Sequence, residues 1–126
     1  MLRTMLKSKI HRATVTDANL NYEGSCTVDK ALIRQADLHP FERIFIYNIN
    51  NGERFETYVI EGPENSGVIA LNGAAARKGM PGDLIIIVSY GMYQDEELTG
   101  YQPKILLLDQ QNRVKKVVHA ERLPGE

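Results

Sequence analysis

A chain of 126 residues has the commonest length of one domain and is too short for two ordinary ones, so a single domain is predicted for residues 1–126. Hydrophobic residues make up 43% and charged residues 25%, which is typical of a soluble globular protein and excludes a disordered or membrane-spanning chain. The 15 Lys and Arg residues nearly balance the 16 Asp and Glu residues, so no global charge favours nucleic acid or an anionic membrane as a partner.

The first predicted element is a long strand over residues 2–15, where apolar and polar side chains alternate with the two-residue period of a β-strand. Its polar face carries Lys9 and His11, which lie two residues apart and point the same way. No apolar run of signal-peptide length follows Met1, so no export signal is predicted.

Cys26 is the only cysteine of the chain, which excludes an intrachain disulfide and a multi-cysteine zinc site. The three histidines are scattered, and no metal site is predicted. Together with the missing export signal, this cysteine usage favours the reducing cytoplasm as the location.

A short helix is predicted to follow. Thr27 is expected to cap it, because Val28, Leu32 and Ala36 then fall at helical spacing behind a suitable N-cap side chain. His39-Pro40 is expected to end it.

The rest of the chain is predicted to form short strands joined by turns. The most distinctive signal is a hairpin, in which Asn50-Asn51-Gly52 joins a strand over residues 43–49 to one over residues 53–60. The elements expected after it are a strand over residues 68–71, one helical turn after Asn72, an apolar strand over 84–90, a short helix over 95–98, a hairpin of 104–108 with 113–119, and a loose tail from Glu121.

Six or seven short strands with few helices predict a mainly β fold, a small β-barrel with short helices. Closing a sheet into a barrel removes the exposed edges that invite aggregation. The order in which the strands pair cannot be read from these patterns, so a β-sandwich remains the open alternative.

The segment Tyr22-Glu23-Gly24-Ser25-Cys26 is the first candidate for chemistry. Gly24 permits unusual backbone dihedrals and leaves little bulk beside the Ser25 hydroxyl. If this hydroxyl adds to the Gly24 carbonyl, the peptide becomes an ester, which elimination and hydrolysis convert to a new C-terminus and a pyruvoyl group. A Gly-Ser dipeptide alone is more typical of a loop before a helix.

Two further groups of residues are suited to binding anions. Lys9 and His11 form a cationic or proton-donating patch, and Arg54 offers a planar fork for a carboxylate. The segment Asn72-Gly73-Ala74-Ala75-Ala76 has small side chains that let backbone N–H groups approach an anionic ligand. On their own, the first three residues favour a solvated strand face, and the second segment equally fits a plain turn.

Four separated segments resemble the aspartate 1-decarboxylase family, in the family's order. The likeness runs over nearly the whole chain and weakens after about Tyr90; the segments are residues 1–12, 22–26, 51–58 and 72–77, the last followed by Gly82-Asp83. This resemblance implies a double-psi β-barrel and a homotetramer with active sites between subunits.

The resemblance also implies a reaction. Autocatalytic cleavage between Gly24 and Ser25 would leave a β chain of residues 1–24 and an α chain of residues 25–126, with a covalent pyruvoyl group formed from Ser25. This cofactor would form a Schiff base with L-aspartate and support its decarboxylation to β-alanine and CO2, a step toward pantothenate and coenzyme A. Whether cleavage needs a maturation factor stays open.

The family's roles transfer to this chain residue by residue. Ser25 matches the pyruvoyl precursor, Tyr58 the proton donor, and Thr57 the residue that assists self-cleavage and contacts substrate. Lys9 and Arg54 match contacts to the substrate carboxylates. The positions that match pocket or supporting residues are His11, Tyr22, Asn72, Gly73, Ala74 and Ala75.

Two other classes of function remain as alternatives. One is a hydrolase with Ser25 or Cys26 as nucleophile and His11 as base, in which a helix N-terminus would lower the pKa of Cys26. The chain lacks a recognisable third member of a triad and a nucleophile-elbow motif. The other alternative is a noncatalytic binding module on a small barrel, which would have no use for the Gly24-Ser25 pair.

Overall fold

Nine strands and three short helices make up the computed structural model, which describes residues 1–119. The predicted tail from Glu121 lies outside the described residues. The strands are β1 Leu2–Thr14, β2 Asp17–Asn19, β3 Ser25–Asp29, β4 Arg43–Asn48, β5 Arg54–Gly62, β6 Ile69–Asn72, β7 Leu84–Gln94, β8 Lys104–Leu108 and β9 Val114–Val118. The helices are α1 Lys30–Gln35 and two 3₁₀ helices, Gly73–Arg77 and Asp95–Leu98.

All nine strands belong to one sheet with the order β2-β6-β3-β5-β4-β7-β1-β8-β9. Most neighbours are antiparallel, but β1 runs parallel to β8, β2 to β6, and β3 to β5. Long crossovers therefore connect strands that lie side by side.

Hydrogen bonds between distant strands curl this sheet. The Thr16 amide, just after β1, donates to the Ile69 carbonyl on β6 at 2.8 Å. The side chain of Asn112, which is 2% exposed, bonds to the backbone of Thr14 and of Gly67. Because β1 and β6 lie near opposite ends of the sheet order, these bonds draw the two ends together. The mainly β prediction is confirmed, and the curled sheet is consistent with the expected small barrel.

The core is aliphatic and lies inside the curled sheet. Alternate side chains of the central strands point into it, as the two-residue period requires. Its largest fully buried side chains are Ile10, Ile44, Ile46, Ile69, Leu71, Ile85, Ile87 and Leu106. This core holds the strand ends that carry the candidate site residues in fixed positions.

The helix prediction was wrong at its beginning and at its end. Residues 25–29 form β3, which pairs with β5 on one side and β6 on the other, so Thr27 and Val28 are strand residues. Asp29 caps α1 by accepting the Ala31 amide at 2.8 Å, and the same buried carboxylate accepts the amides of Asn65 and Gly67. The helix ends at Gln35, and Asp37 follows with a left-handed φ of 55°.

The prediction of six or seven strands was also too low, because β2 and β3 were missed. The hairpin of β4 and β5 is confirmed, and in it Asn48 accepts the Gly52 amide across the turn. The helical turn after Asn72 and the last hairpin, β8 with β9, are confirmed as well. Strand β7 runs to Gln94, past the predicted end at residue 90, because it pairs with the whole length of β1.

No helix within residues 1–119 combines the length and the hydrophobicity that crossing a bilayer would require.

Candidate active site

Ser25 lies at the first position of β3, with 1% of its surface exposed. It faces Asn72 on β6 in the antiparallel register. The Asn72 side-chain amide donates to the Ser25 hydroxyl at 3.0 Å and to the Thr27 hydroxyl at 2.8 Å, and the Ser25 hydroxyl donates to the Glu23 carbonyl at 3.2 Å. A buried serine oxygen is thus oriented by an amide that reaches across from the neighbouring strand.

Gly73 packs directly against the backbone beside Ser25. Its φ is 64°, and a Cβ built on it would lie 2.7 Å from both Gly24 Cα and Gly24 N, and 2.8 Å from the Tyr22 carbonyl oxygen. A side chain of any size is therefore excluded by backbone atoms and is disfavoured by the backbone angle. The contact holds the segment 22–24 in place just before the buried serine.

Gly24 opens onto a cavity of about 200 Å³. This volume is below the roughly 300–1,000 Å³ of pockets that take drug-sized ligands, so it suits a small molecule. The lining residues are Gly24, Phe55, Glu56, Thr57, Ala74, Ala75 and Lys78. The structure thus brings four of the predicted site residues, Gly24, Thr57, Ala74 and Ala75, to one cavity.

A second, more open cavity of about 400 Å³ lies beside the first and shares Phe55 and Glu56 with it. Arg54 lines this second cavity together with Tyr47. The guanidinium carbon of Arg54 lies 3.9 Å from the centre of the Tyr47 ring, which is a cation–π contact.

Tyr58 lies apart from the Gly24 cavity within this chain. Side chains alternate along β5, so Thr57 faces the cavity while Tyr58 shares the opposite face with Arg54. The Tyr58 ring packs against Phe41, with their centroids 6.0 Å apart.

Lys9 and His11 lie on β1, three strand positions from β5 in the sheet order. Both are partly buried. Tyr22 is 57% exposed and contributes its backbone to the contact with Gly73. The single chain thus gathers the residues around the Gly24-Ser25 bond into one place and leaves Lys9, His11 and Tyr58 elsewhere.

Cys26 is fully buried in β3, and burial raises the pKa of its thiol to about 12. The expectation that a helix N-terminus would lower this pKa was wrong, because the helix begins four residues later. A thiol of this kind stays protonated at neutral pH and is a poor nucleophile.

Sequence reasoning missed two side chains that line these cavities, Lys78 and Tyr47, and a third, Tyr90, that contacts Tyr47. Lys78 lines the Gly24 cavity and forms an ion pair of 3.1 Å with Glu53, and no local pattern marked it. Tyr47 and Tyr90 lie beside Arg54, and their hydroxyl groups are 2.8 Å apart. Within residues 1–119, no three His, Cys, Asp or Glu side chains are arranged to hold a metal ion.

Comparison with known proteins gives a uniform result. The family model described as aspartate decarboxylase matches residues 1–115. The aspartate 1-decarboxylase of Syntrophus aciditrophicus is 59% identical over 115 residues, which cover 91% of this chain and 99% of that protein. The enzyme of the same name from Syntrophobacter fumaroxidans is 59% identical over 90% of this chain and 91% of its own length. That from Listeria monocytogenes is 53% identical over 97% of this chain and 96% of its own length. The chain belongs to the aspartate decarboxylase family.

Proposed function

We propose that this chain decarboxylates L-aspartate to β-alanine and CO2, as a carboxy-lyase of pantothenate and coenzyme A biosynthesis, with a pyruvoyl group made from its own Ser25. Family membership and the shared name of the relatives support the reaction. The observation that carries the cofactor is the hydrogen bond from Asn72 to a buried Ser25 hydroxyl beside Gly24. We expect the reaction to take place in the cytoplasm.

The proposed self-cleavage needs only groups of this chain and water. The Ser25 oxygen bonds to the Gly24 carbonyl carbon while the C–N bond breaks, which converts the peptide to an ester. Loss of the Ser25 α-proton then expels the Gly24 carboxylate, and hydrolysis of the remaining enamine releases ammonia. The two products are residues 1–24 and a chain from position 25 that begins with the pyruvoyl group.

The surroundings of Ser25 fit this chemistry. Asn72 donates to the attacking oxygen, which fixes its direction but requires the hydroxyl proton to leave toward another acceptor. In the structure the Ser25 hydroxyl donates a hydrogen bond to the Glu23 carbonyl at 3.2 Å. As the C–N bond breaks, the hydroxyl proton passes to the Ser25 nitrogen. Thr57 lines the cavity on the Gly24 side, where it is available to assist the reacting carbonyl.

A pyruvoyl group supplies a ketone that accepts a substrate amine and withdraws the electron pair left on the substrate carbon when CO2 departs. This chain's residues would bind and orient the substrate around it. Arg54, with its fork-shaped guanidinium, binds a substrate carboxylate, and Lys9 contributes a second positive charge. Tyr58 donates a proton to the substrate carbon that has lost CO2. The wall of the pocket is formed by Asn72, Gly73, Ala74 and Ala75, with His11 and Tyr22 in support.

We further propose that the active site is completed by a second subunit, within a homotetramer. Thr57 and Tyr58 point to opposite faces of β5, and only Thr57 lines the cavity beside Gly24. One strand can therefore serve two sites, Thr57 in its own chain and Tyr58 in the neighbouring subunit. A maturation factor, if one takes part, would act on the rate of the cleavage steps and not on their stoichiometry.

The test is the intact mass of the purified protein under denaturing conditions, with Ser25→Ala as the matched control. We expect two fragments divided after Gly24. The mass of the larger fragment should be lower, by the mass of one ammonia molecule, than that of the same fragment with Ser at its N-terminus. The Ser25→Ala protein is expected to remain one uncut chain without decarboxylase activity. A wild-type protein that decarboxylates aspartate as one continuous chain would rule out the proposed cofactor.

A further inference from the structure

We propose that Tyr90 is a positioning residue for substrate binding, because its hydroxyl holds Tyr47 and the Tyr47 ring in turn holds the Arg54 guanidinium in the orientation that receives a carboxylate. This inference rests on the proposed function, which gives Arg54 its ligand. The three residues come from three neighbouring strands, β7, β4 and β5, which lie in this order in the sheet.

The first of the two contacts that link these three residues is between Arg54 and Tyr47. They face each other directly across the β4–β5 hairpin. With 3.9 Å between the guanidinium carbon and the ring centre, the cation lies against the face of the ring. An arginine stacked in this way keeps its plane fixed while its N–H groups, which project from the edge of the plane, stay available.

The edge of the Arg54 guanidinium is in fact available. Within residues 1–119, no hydrogen bond or ion pair joins it to another side chain. The acidic residue nearest along the same face of β5 is Glu56, and Arg43 engages it with two nitrogen–oxygen contacts of 2.6 and 3.2 Å. Arg43 therefore neutralises the carboxylate that would otherwise compete for Arg54, and the fork remains open to a ligand.

The second contact holds Tyr47 itself. Its hydroxyl lies 2.8 Å from that of Tyr90, which is a good hydrogen-bond distance. The Tyr90 ring is fixed in turn by an edge-to-face contact with Phe45, with the centroids 5.1 Å apart. A tyrosine ring held at its tip as well as at its Cα cannot swing away from the cation above it.

Burial and the bond to Tyr47 raise the pKa of Tyr90 to about 12. The Tyr90 hydroxyl therefore stays protonated over the whole range in which an aspartate assay is run. The Tyr90 hydroxyl therefore keeps the proton that this hydrogen bond with Tyr47 can use at the pH of the assay.

The experiment uses the mature protein and measures KM and kcat for aspartate in Tyr90→Phe, together with the binding of succinate, a dicarboxylate that needs no catalysis. The variant keeps the ring and loses only the hydroxyl. We expect KM and the succinate Kd to rise between about twofold and tenfold, the worth of one hydrogen bond, with kcat and the completeness of cleavage unchanged.

Two further variants separate positioning from a general loss of structure. Tyr93→Phe removes a hydroxyl from the same strand, on a ring that contacts Tyr101 and not Tyr47, and is expected to keep the wild-type KM. Tyr47→Phe combined with Tyr90→Phe is expected to match the single variants, because all three remove the same bond.

Several results would overturn the inference. One is a wild-type KM and succinate Kd in Tyr90→Phe, and another is the same rise in Tyr93→Phe. Failure of the proposed function looks different, because the wild-type protein would then not decarboxylate aspartate. In that case the succinate Kd still tests the role of Tyr90. Weaker succinate binding in Tyr90→Phe than in the wild type supports the positioning role, and equal binding in both proteins, or no binding in either, excludes it.

Discussion

Gly73→Ala is expected to slow self-cleavage, because its methyl group would meet the backbone that presents the bond to be cut. The new Cβ would lie 2.7 Å from Gly24 Cα and Gly24 N, and 2.8 Å from the Tyr22 oxygen. These partners are backbone atoms, so no side chain can turn aside to relieve the contact. The segment 22–24 must retreat by several tenths of an ångström.

The substitution Gly73→Ala has two free-energy costs, and it also displaces the reacting carbonyl group. The φ of 64° costs an L-residue about 1–2 kcal/mol, and the steric contact adds about 1–3 kcal/mol, as overpacking does elsewhere. The displacement also moves the Gly24 carbonyl away from the Ser25 oxygen. Because a misplacement of about 1 Å costs roughly 100-fold in rate, we expect cleavage to slow between about tenfold and 100-fold.

The assay follows the fraction of cut chain over time by intact mass, after synthesis of the protein is stopped. Gly100→Ala is the matched control, since Gly100 has a φ of 78° and no atom lies within 4 Å of its Cβ position. This control carries the backbone strain without the collision and is expected to cleave at the wild-type rate. If folded Gly73→Ala protein also cleaves at that rate, the close packing of Gly73 on Gly24 has no part in maturation.

Three other predictions concern Asn72, Cys26 and Tyr90. Asn72→Ala should slow cleavage because it removes the hydrogen-bond donor to Ser25. Thr27→Val loses only the bond between Asn72 and the Thr27 hydroxyl and should cleave normally. Equal cleavage rates in the two variants would exclude the role of Asn72 in orienting Ser25. Iodoacetamide at pH 8 should leave Cys26 unmodified in the native protein and alkylate it in urea, because burial raises the pKa of this thiol to about 12. Labelling of the native protein with loss of activity would instead favour a hydrolase in which Cys26 is the nucleophile. Burial first, and then the bond to Tyr47, raises the pKa of Tyr90 from its ordinary value near 10 to about 12, so the unfolded chain loses this proton first. The free energy of unfolding should therefore fall as the pH rises from 10 to 12, and fall less in Tyr90→Phe; denaturant titrations with the same fall in both proteins would contradict this assignment.

Local signals predicted much of the fold. The β4–β5 hairpin could be predicted because Asn50-Asn51-Gly52 specifies a tight turn between two apolar runs. Strand β3 could not, since residues 25–29 have no alternating pattern and become a strand only by pairing with β5 and β6, which come later in the chain. A β propensity that depends on partners is invisible in the segment itself.

The candidate site, too, could be predicted where it depends on a local segment and could not where it depends on strand pairing. The Gly24-Ser25 pair could be found in the sequence because its chemistry needs those two residue types together. The donor to Ser25 is 47 residues away on β6, so its approach follows from strand pairing. Tyr47 lies opposite Arg54 through the predictable hairpin, whereas Tyr90 reaches Tyr47 only because β7 pairs with β4.

The place of β1 in the sheet has a consequence for the cleaved protein. This strand lies between β7 and β8 and is hydrogen-bonded to both, yet it belongs entirely to the fragment 1–24. In a chain cut after Gly24, an interior strand is thus a separate peptide that only noncovalent contacts retain. Unfolding then becomes a dissociation, so the Tm of the cut protein should rise with its concentration. An isotopically labelled peptide of residues 1–24 should exchange into the protein only on the timescale on which the barrel opens.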